Sequence, residues 1–446
     1  MNPELLRNVW NELTWRRLVA MPLILAALLS IPSGSEPVAD LAGVLFLILA
    51  VLWGTRQAAD AVPTEVAEST WDWQRLSTLN AWQLTWGKLL GVTLFSWYGA
   101  AICLAVRLVA RFKVFGLAAM VHGTLYLAGA ALLGQAVAFL LGLQTVRLRG
   151  HRTRMGTLVS QATGVVVGYT AVRYGAHIPG AGIGWLFPGG PGGVLEWYGL
   201  AMTGATAASL TLAVYLGWTL LGAQRLMMRE LSYRTRPWAW PAFVLFSAFF
   251  MAGFVPAGDD VPRFAADLAP AGRLMIAAAV SALLTYAAIF WDDKDPVVFR
   301  RLLRLAEAGE WAGFASHMPT WLTSYGITVL LGLALMLTGG GTVAGVTLWA
   351  AILGALLFMA RDMAIALYFW LSPTPARANV LTAIVLGLLY WVLPAALGFS
   401  SPLLFVFIPF APAPPVSVLS AAVVEFGALA LLLAWRWRDR FMLRNA

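Results

Sequence analysis

Apolar residues run through this chain in long blocks, separated by short polar stretches rather than alternating with them. The blocks lie at about 18–31, 39–53, 88–106, 117–143, 155–172, 198–223, 238–255, 272–291, 321–338, 344–371, 379–397 and 416–435. A helix needs about 20 apolar residues to cross a bilayer. In lipid every backbone N–H and C=O must be satisfied within the protein, so such blocks read as helices. They are too long and too little alternating for barrel strands. The pattern predicts an all-α polytopic membrane protein with about twelve spans. The first two blocks are short enough for a tight helical hairpin.

Composition agrees. The chain has 446 residues, 60% hydrophobic and 11% charged, and a mean hydropathy of +0.76. A soluble domain carries roughly 25% charged residues. The single cysteine, Cys103, excludes a disulfide framework within one chain. The first block lacks a convincing cleavage site, so it reads as a span rather than a removable signal.

Charge then orients the spans. With the N-terminus inside, most of the 30 Lys and Arg fall in cytoplasmic segments, including Arg16, Arg17, Arg147, Arg149, Arg225, Arg229, Arg300, Arg301 and Arg304. The outer segments would hold Arg107, Arg111, Lys113, Arg173, Arg263 and Arg273. The first three are the weak point of this topology. Both termini are expected in the cytoplasm, and no nucleic-acid partner is expected.

Matched features suggest a parallel internal repeat of two six-helix halves, 1–223 and 224–446. Arg17 precedes Pro22, and Arg236 precedes Pro241, as the first and seventh spans begin. The long cytoplasmic segments follow the second span (54–87) and the eighth (292–320). A polar break sits within the fourth span (Gln135) and the tenth (Arg361, Asp362). Pro188 and Pro191 precede the sixth span; Pro409 and Pro412 precede the twelfth.

Three segments carry candidate chemistry outside the spans. Residues 4–17 place Leu5, Leu6, Val9, Trp10 and Leu13 on one helical face, as an interfacial helix would. Residues 65–91 mix polar residues with tryptophans, too polar to span but suited to the headgroup region. A short surface helix there would present Asp72, Gln74, Arg75 and Asn80 to a cytoplasmic partner. The second half answers with Asp292, Asp293 and an amphipathic stretch in which Phe299, Leu302, Leu303 and Leu305 oppose Arg300, Arg301 and Arg304.

On these residues the chain resembles a family. The order of an acidic stretch, Arg75-Leu76-Ser77, a turn, Trp82 and Gly87-Lys88-Leu89-Leu90-Gly91 is similar to the permeases of ATP-driven ABC exporters with six-helix units and an N-terminal interfacial helix. Arg361-Asp362 followed by Tyr390 to Pro394, and the proline-punctuated piece Ser401 to Pro415, resemble further parts of such units. Thr78 stands where many relatives carry proline. The resemblance implies that 65–91 is a coupling helix, that Lys88 belongs to it, and that one chain supplies both permease halves in a bacterial inner membrane. It implies two copies of a cytoplasmic ATP-binding subunit as partners. This chain has no G-x-x-x-x-G-K-[ST], so ATP and magnesium would bind those subunits, and the chain itself is expected to hold no cofactor and to be no enzyme.

Charges within a span are costly and invite a functional reading. Asp362 and Glu425 are the clearest, with Arg361 as a partner for either; a structural ion pair is the plainer alternative. Gln135, Gln161 and His122 read as helix-packing hydrogen bonders. The four histidines (His122, His151, His177, His317) show no metal-binding spacing. A proton-coupled secondary transporter using Asp362 and Glu425 is the alternative function. Against it, such carriers place their long loop between the halves, where this chain is short. A membrane-embedded lipid enzyme would need clustered acid, base or metal groups that the sequence does not assemble.

Overall fold

The computed structural model describes residues 2–149, 154–178, 181–183, 193–233, 235, 237–254, 269–292, 296–338, 342–343, 346–372, 377–398, 401–410 and 413–441. Asp293, Arg236, Arg263, His151, Pro188, Pro191, Pro412 and most of the glycine-rich stretch 179–193 lie outside them. The chain is a polytopic membrane protein, helical but for two short strand pairs among the described residues, Val194–Trp197 with Leu200–Thr203 and Thr342–Val343 with Val346–Thr347. Among the described residues eight helices are long and apolar enough to cross a bilayer, or nine if a bent pair counts as one span.

The chain divides into two compact units, residues 1–196 with 200–235, and residues 197–199 with 236–446. In the first unit α1 is Pro3–Glu12, α2 is Trp15–Leu29 and α3 is Ser35–Ala67. Then come a short α4 (Trp71–Arg75), α5 (Ala81–Val92), α6 (Leu94–Phe115), α7 (Leu117–Arg149), α8 (Arg154–Tyr174) and α9 (Gly204–Glu230). Pro3 starts α1 where its missing N–H costs nothing, and the Asn2 side chain accepts from Glu4 N at 3.0 Å. Asn80 and Gln83 form a capping box that starts α5. Gly116, at φ +79°, ends α6 in a conformation that disfavours other residues.

Helix α7 is the central element, and α8, α9 and part of α3 pack against it. Its glycines let backbones meet. A Cβ on Gly134 would reach 2.7 Å from the Gly164 carbonyl of α8. Membrane helices gain no hydrophobic drive from one another, so close approach through small residues supplies much of their attraction.

The second unit holds α10 (Ala239–Ala252), α11 (Ala269–Trp291), α12 (Pro296–Glu307), α13 (Trp311–His317), α14 (Thr320–Leu337), α15 (Leu348–Trp370), α16 (Ala378–Leu397) and α17 (Pro415–Phe441). Helices α11 and α14 pack together around a buried hydroxyl ladder in which Ser281 and Thr328 lie 2.8 Å apart. Helix α15 packs against α17.

Three expectations are corrected. The second apolar block does not stop at 53: α3 runs on to Ala67, because Gly54, Thr55, Ala58 and Ala59 are buried against α7. The third block starts earlier and bends, with α5 and α6 meeting at 59°. Arg107 and Arg111, expected in an outer loop, lie inside α6 and are buried. Arg111 pairs with Asp40 at 2.6 Å and Glu36 at 2.7 Å, and both arginines donate to the Gly182 carbonyl. Two acidic residues at the start of α3 thus balance the positive charge that strained the topology.

Candidate functional site

Among the described residues three further polar clusters lie within the helices, besides the Arg107–Arg111 group and the Ser281–Thr328 ladder. The first joins α1, α3, α4 and α5. Lys88 of α5 is fully buried and reaches Glu4 of α1 at 3.2 Å and Glu65 of α3. Arg7 bonds the same two carboxylates at 2.8 and 2.7 Å. Gln74 donates to Glu65 at 2.8 Å, and the Lys88 ammonium lies 5.1 Å from the centre of the Trp71 ring. Two cations thus face two anions, which offsets much of the cost of burying them. Helix α1 docks with its polar face: Glu4 and Asn8 are its buried residues, and Asn8 reaches the Gly87 carbonyl at 3.4 Å. Trp10 on its apolar side is 80% exposed, as suits a helix lying in the lipid interface.

This geometry sorts the residues expected to dock a partner. Asp72 and Arg75 do lie on the surface, 3.6 Å apart, beside exposed Trp73 and Leu76. Gln74 and Lys88 do not: both are turned inward, because Glu65 needs their donors. Asn80 is occupied as a helix cap. In the second unit Arg300, Arg301 and Arg304 are exposed on α12, while Leu302 is buried and Phe299 packs on Trp321 with ring centres 6.4 Å apart. Asp292 accepts from the N–H of Thr320 at 2.6 Å and its hydroxyl at 2.9 Å, so it caps α14.

The second cluster surrounds Gln135 of α7. Its amide donates to the Ala50 carbonyl at 2.8 Å and accepts from the Trp97 indole at 2.9 Å. Ala50 sits in a π-helical stretch, Leu47–Trp53, within α3. Widening a helix frees carbonyls from their usual partners. Side chains of Gln135, Thr55 and Gln161 take up those of Ala50, Val51 and Leu52. Gly54 makes room, since a Cβ there would collide with the Gln135 amide.

The third cluster brings Arg361, Asp362 and Glu425 together, as the sequence allowed. Arg361 of α15 donates through Nε to Asp362 at 3.0 Å and through Nη1 to Glu425 of α17 at 2.5 Å. Asp362 also accepts from the hydroxyls of Tyr286 (α11) and Tyr390 (α16), each at 2.6 Å. The Arg361 guanidinium lies 4.5 Å from the Phe358 ring centre and 5.2 Å from that of Tyr390. Tyr390 stands in a second π-helical stretch, Leu388–Val392. Pro394 explains it: proline has no N–H to bond the carbonyl four residues back, which is that of Tyr390. Tyr286 was missed in sequence because nothing local marks one tyrosine of a long apolar helix.

Among the described residues no three His, Cys, Asp or Glu side chains converge as metal ligands would. No family model, curated protein or solved structure matches the chain.

Proposed function

We propose that this chain is the transmembrane subunit of an ATP-driven exporter of the ABC type. On this reading twelve spans form two parallel six-helix halves, 1–223 and 224–446, in a bacterial inner membrane with both termini in the cytoplasm. Two copies of an ATP-binding subunit bind from that side and hydrolyse ATP; this chain forms the path.

One observation carries the reading. The tip formed by Asp72, Trp73, Arg75 and Leu76 is solvent-exposed, yet its base is fixed by the Glu4–Arg7–Glu65–Lys88 network, in which Glu4 and Lys88 are buried. An exposed tryptophan and leucine beside an ion pair suit insertion into a groove of a soluble partner, since aromatic anchors dominate interface energies. The network ties that tip to α1, α3 and α5 at once, so a push on the tip moves α3 and the bent α5–α6 helix together. Helix α12 offers a comparable basic face through Arg300, Arg301 and Arg304.

The test is affinity purification of the tagged full chain from its native membrane in mild detergent, followed by mass spectrometry. A co-purifying protein with a Walker A motif, near two copies per chain and lost in Trp73→Ala/Leu76→Ala, is expected. A solitary chain with no associated ATPase activity overturns the reading. That second outcome favours a proton-coupled transporter, for which the one specific observation is two carboxylates, Asp362 and Glu425, sharing Arg361.

A further inference from the structure

An open cleft of about 430 Å³ lies between α15, α16 and α17, lined by Ile365, Phe369, Val385, Leu389 and Leu432 with Tyr368. Arg361 and Glu425 border it, and almost all of its exposed lining is apolar. Its size and apolar lining match small-ligand sites.

Charge decides what fits. Asp362 is satisfied by Arg361 Nε and two tyrosine hydroxyls, while Arg361 is shared between Asp362 and Glu425. Two carboxylates thus share one guanidinium, which leaves the ionised cluster with one excess negative charge. Glu425 is the most accessible of the three, 25% exposed against 1% for each partner. Two other charged clusters are balanced: Glu4 and Glu65 face Arg7 and Lys88, while Glu36 and Asp40 face Arg107 and Arg111. The further cation on α17 that touches the cleft lining, Arg436, stacks on Tyr368 at 4.2 Å. It lies eleven residues from Glu425, about 16 Å along the helix, too far to neutralise it. An uncompensated charge beside apolar side chains is costly, and a ligand that neutralises it recovers that cost.

We infer that this cleft binds a monocationic amphiphile, with its charge on Glu425 and its apolar body against Ile365, Phe369, Val385 and Leu389. Arg361 enforces the sign: an anion would meet its guanidinium already engaged by two carboxylates. The cleft would serve whichever energy source drives transport, so this site stands or falls apart from the ATPase association.

Tetraphenylphosphonium and tetraphenylborate have nearly the same shape and opposite charge. Equilibrium binding of each to the purified full chain in detergent separates charge from partitioning. The phosphonium is expected to bind saturably near one per chain and the borate not to. Glu425→Gln should weaken phosphonium binding at least tenfold, and Ala428→Trp, which fills the cleft without touching the charges, should abolish it. Equal binding of both ions, no saturable binding, or indifference to Ala428→Trp overturns the proposal. So does unchanged affinity in a folded Glu425→Gln protein. If Glu425→Gln fails to give a monodisperse protein, the ion comparison and Ala428→Trp decide alone.

Discussion

Lys88 and Glu4 lie 84 positions apart in sequence, yet meet at 3.2 Å where neither is open to solvent. The contact ties the first helix of the chain to the start of the bent α5–α6 helix, with Glu65 closing the group from α3. Removing the ammonium leaves two carboxylates buried beside one arginine. Lys88→Met is therefore expected to destabilise the protein by about 3–5 kcal/mol, the usual cost of breaking a buried pair. Adding Glu65→Gln should recover part of that loss. Thermal unfolding of the detergent-solubilised single and double variants measures both.

Trp71 and Trp73 should respond in opposite ways although they are two residues apart. Trp71 is buried against Lys88, and Trp71→Ala should cost about 3–5 kcal/mol. Trp73 is 79% exposed, so Trp73→Ala should change stability by no more than about 0.5 kcal/mol. Equal losses of stability in the two variants would mean that Trp73 is a packing residue and not a surface anchor.

Gly54→Ala places a methyl group on the Gln135 amide. The displaced amide leaves the Ala50 carbonyl unbonded in the π-helical stretch, a loss of about 1–3 kcal/mol. Gln135→Ala in the same chain removes the collision but not the unbonded carbonyl. The double variant should then be no less stable than Gly54→Ala alone; a further additive loss would show that the two side chains do not meet.

Within the third cluster, Arg361→Met should be the most damaging single change, at about 3–5 kcal/mol, because it strands Asp362 and Glu425 together. Tyr286→Phe and Tyr390→Phe each remove one hydrogen bond to a charged group and should cost about 1.5–3 kcal/mol. Differential scanning fluorimetry of the three variants ranks them. A Tyr286→Phe protein less stable than Arg361→Met would contradict the charge argument.

Asp292→Ala should cost about 1 kcal/mol through loss of the cap on α14, and Asp292→Asn should restore most of it. A stable Asp292→Ala protein would instead return this residue to the docking surface.

Sequence alone determined that this chain lives in a bilayer and forms helices there. Lipid offers no hydrogen bonds, so long apolar blocks have little choice of structure, and every one of the twelve blocks contains a helix. The meeting of Arg361, Asp362 and Glu425 was legible because charges within apolar blocks have few partners. The tertiary structure alone decided where the remaining charges go. Lys88 and Gln74, which local pattern places on a docking surface, turn inward because Glu65 and Glu4 lie there. Arg107 and Arg111 enter a helix because Asp40 and Glu36 arrive from another one. Helical periodicity relates residues three or four apart, and it carries no information about carboxylates 9 to 84 residues away. Only the folded chain brings those charges within reach, and burial makes their pairing obligatory.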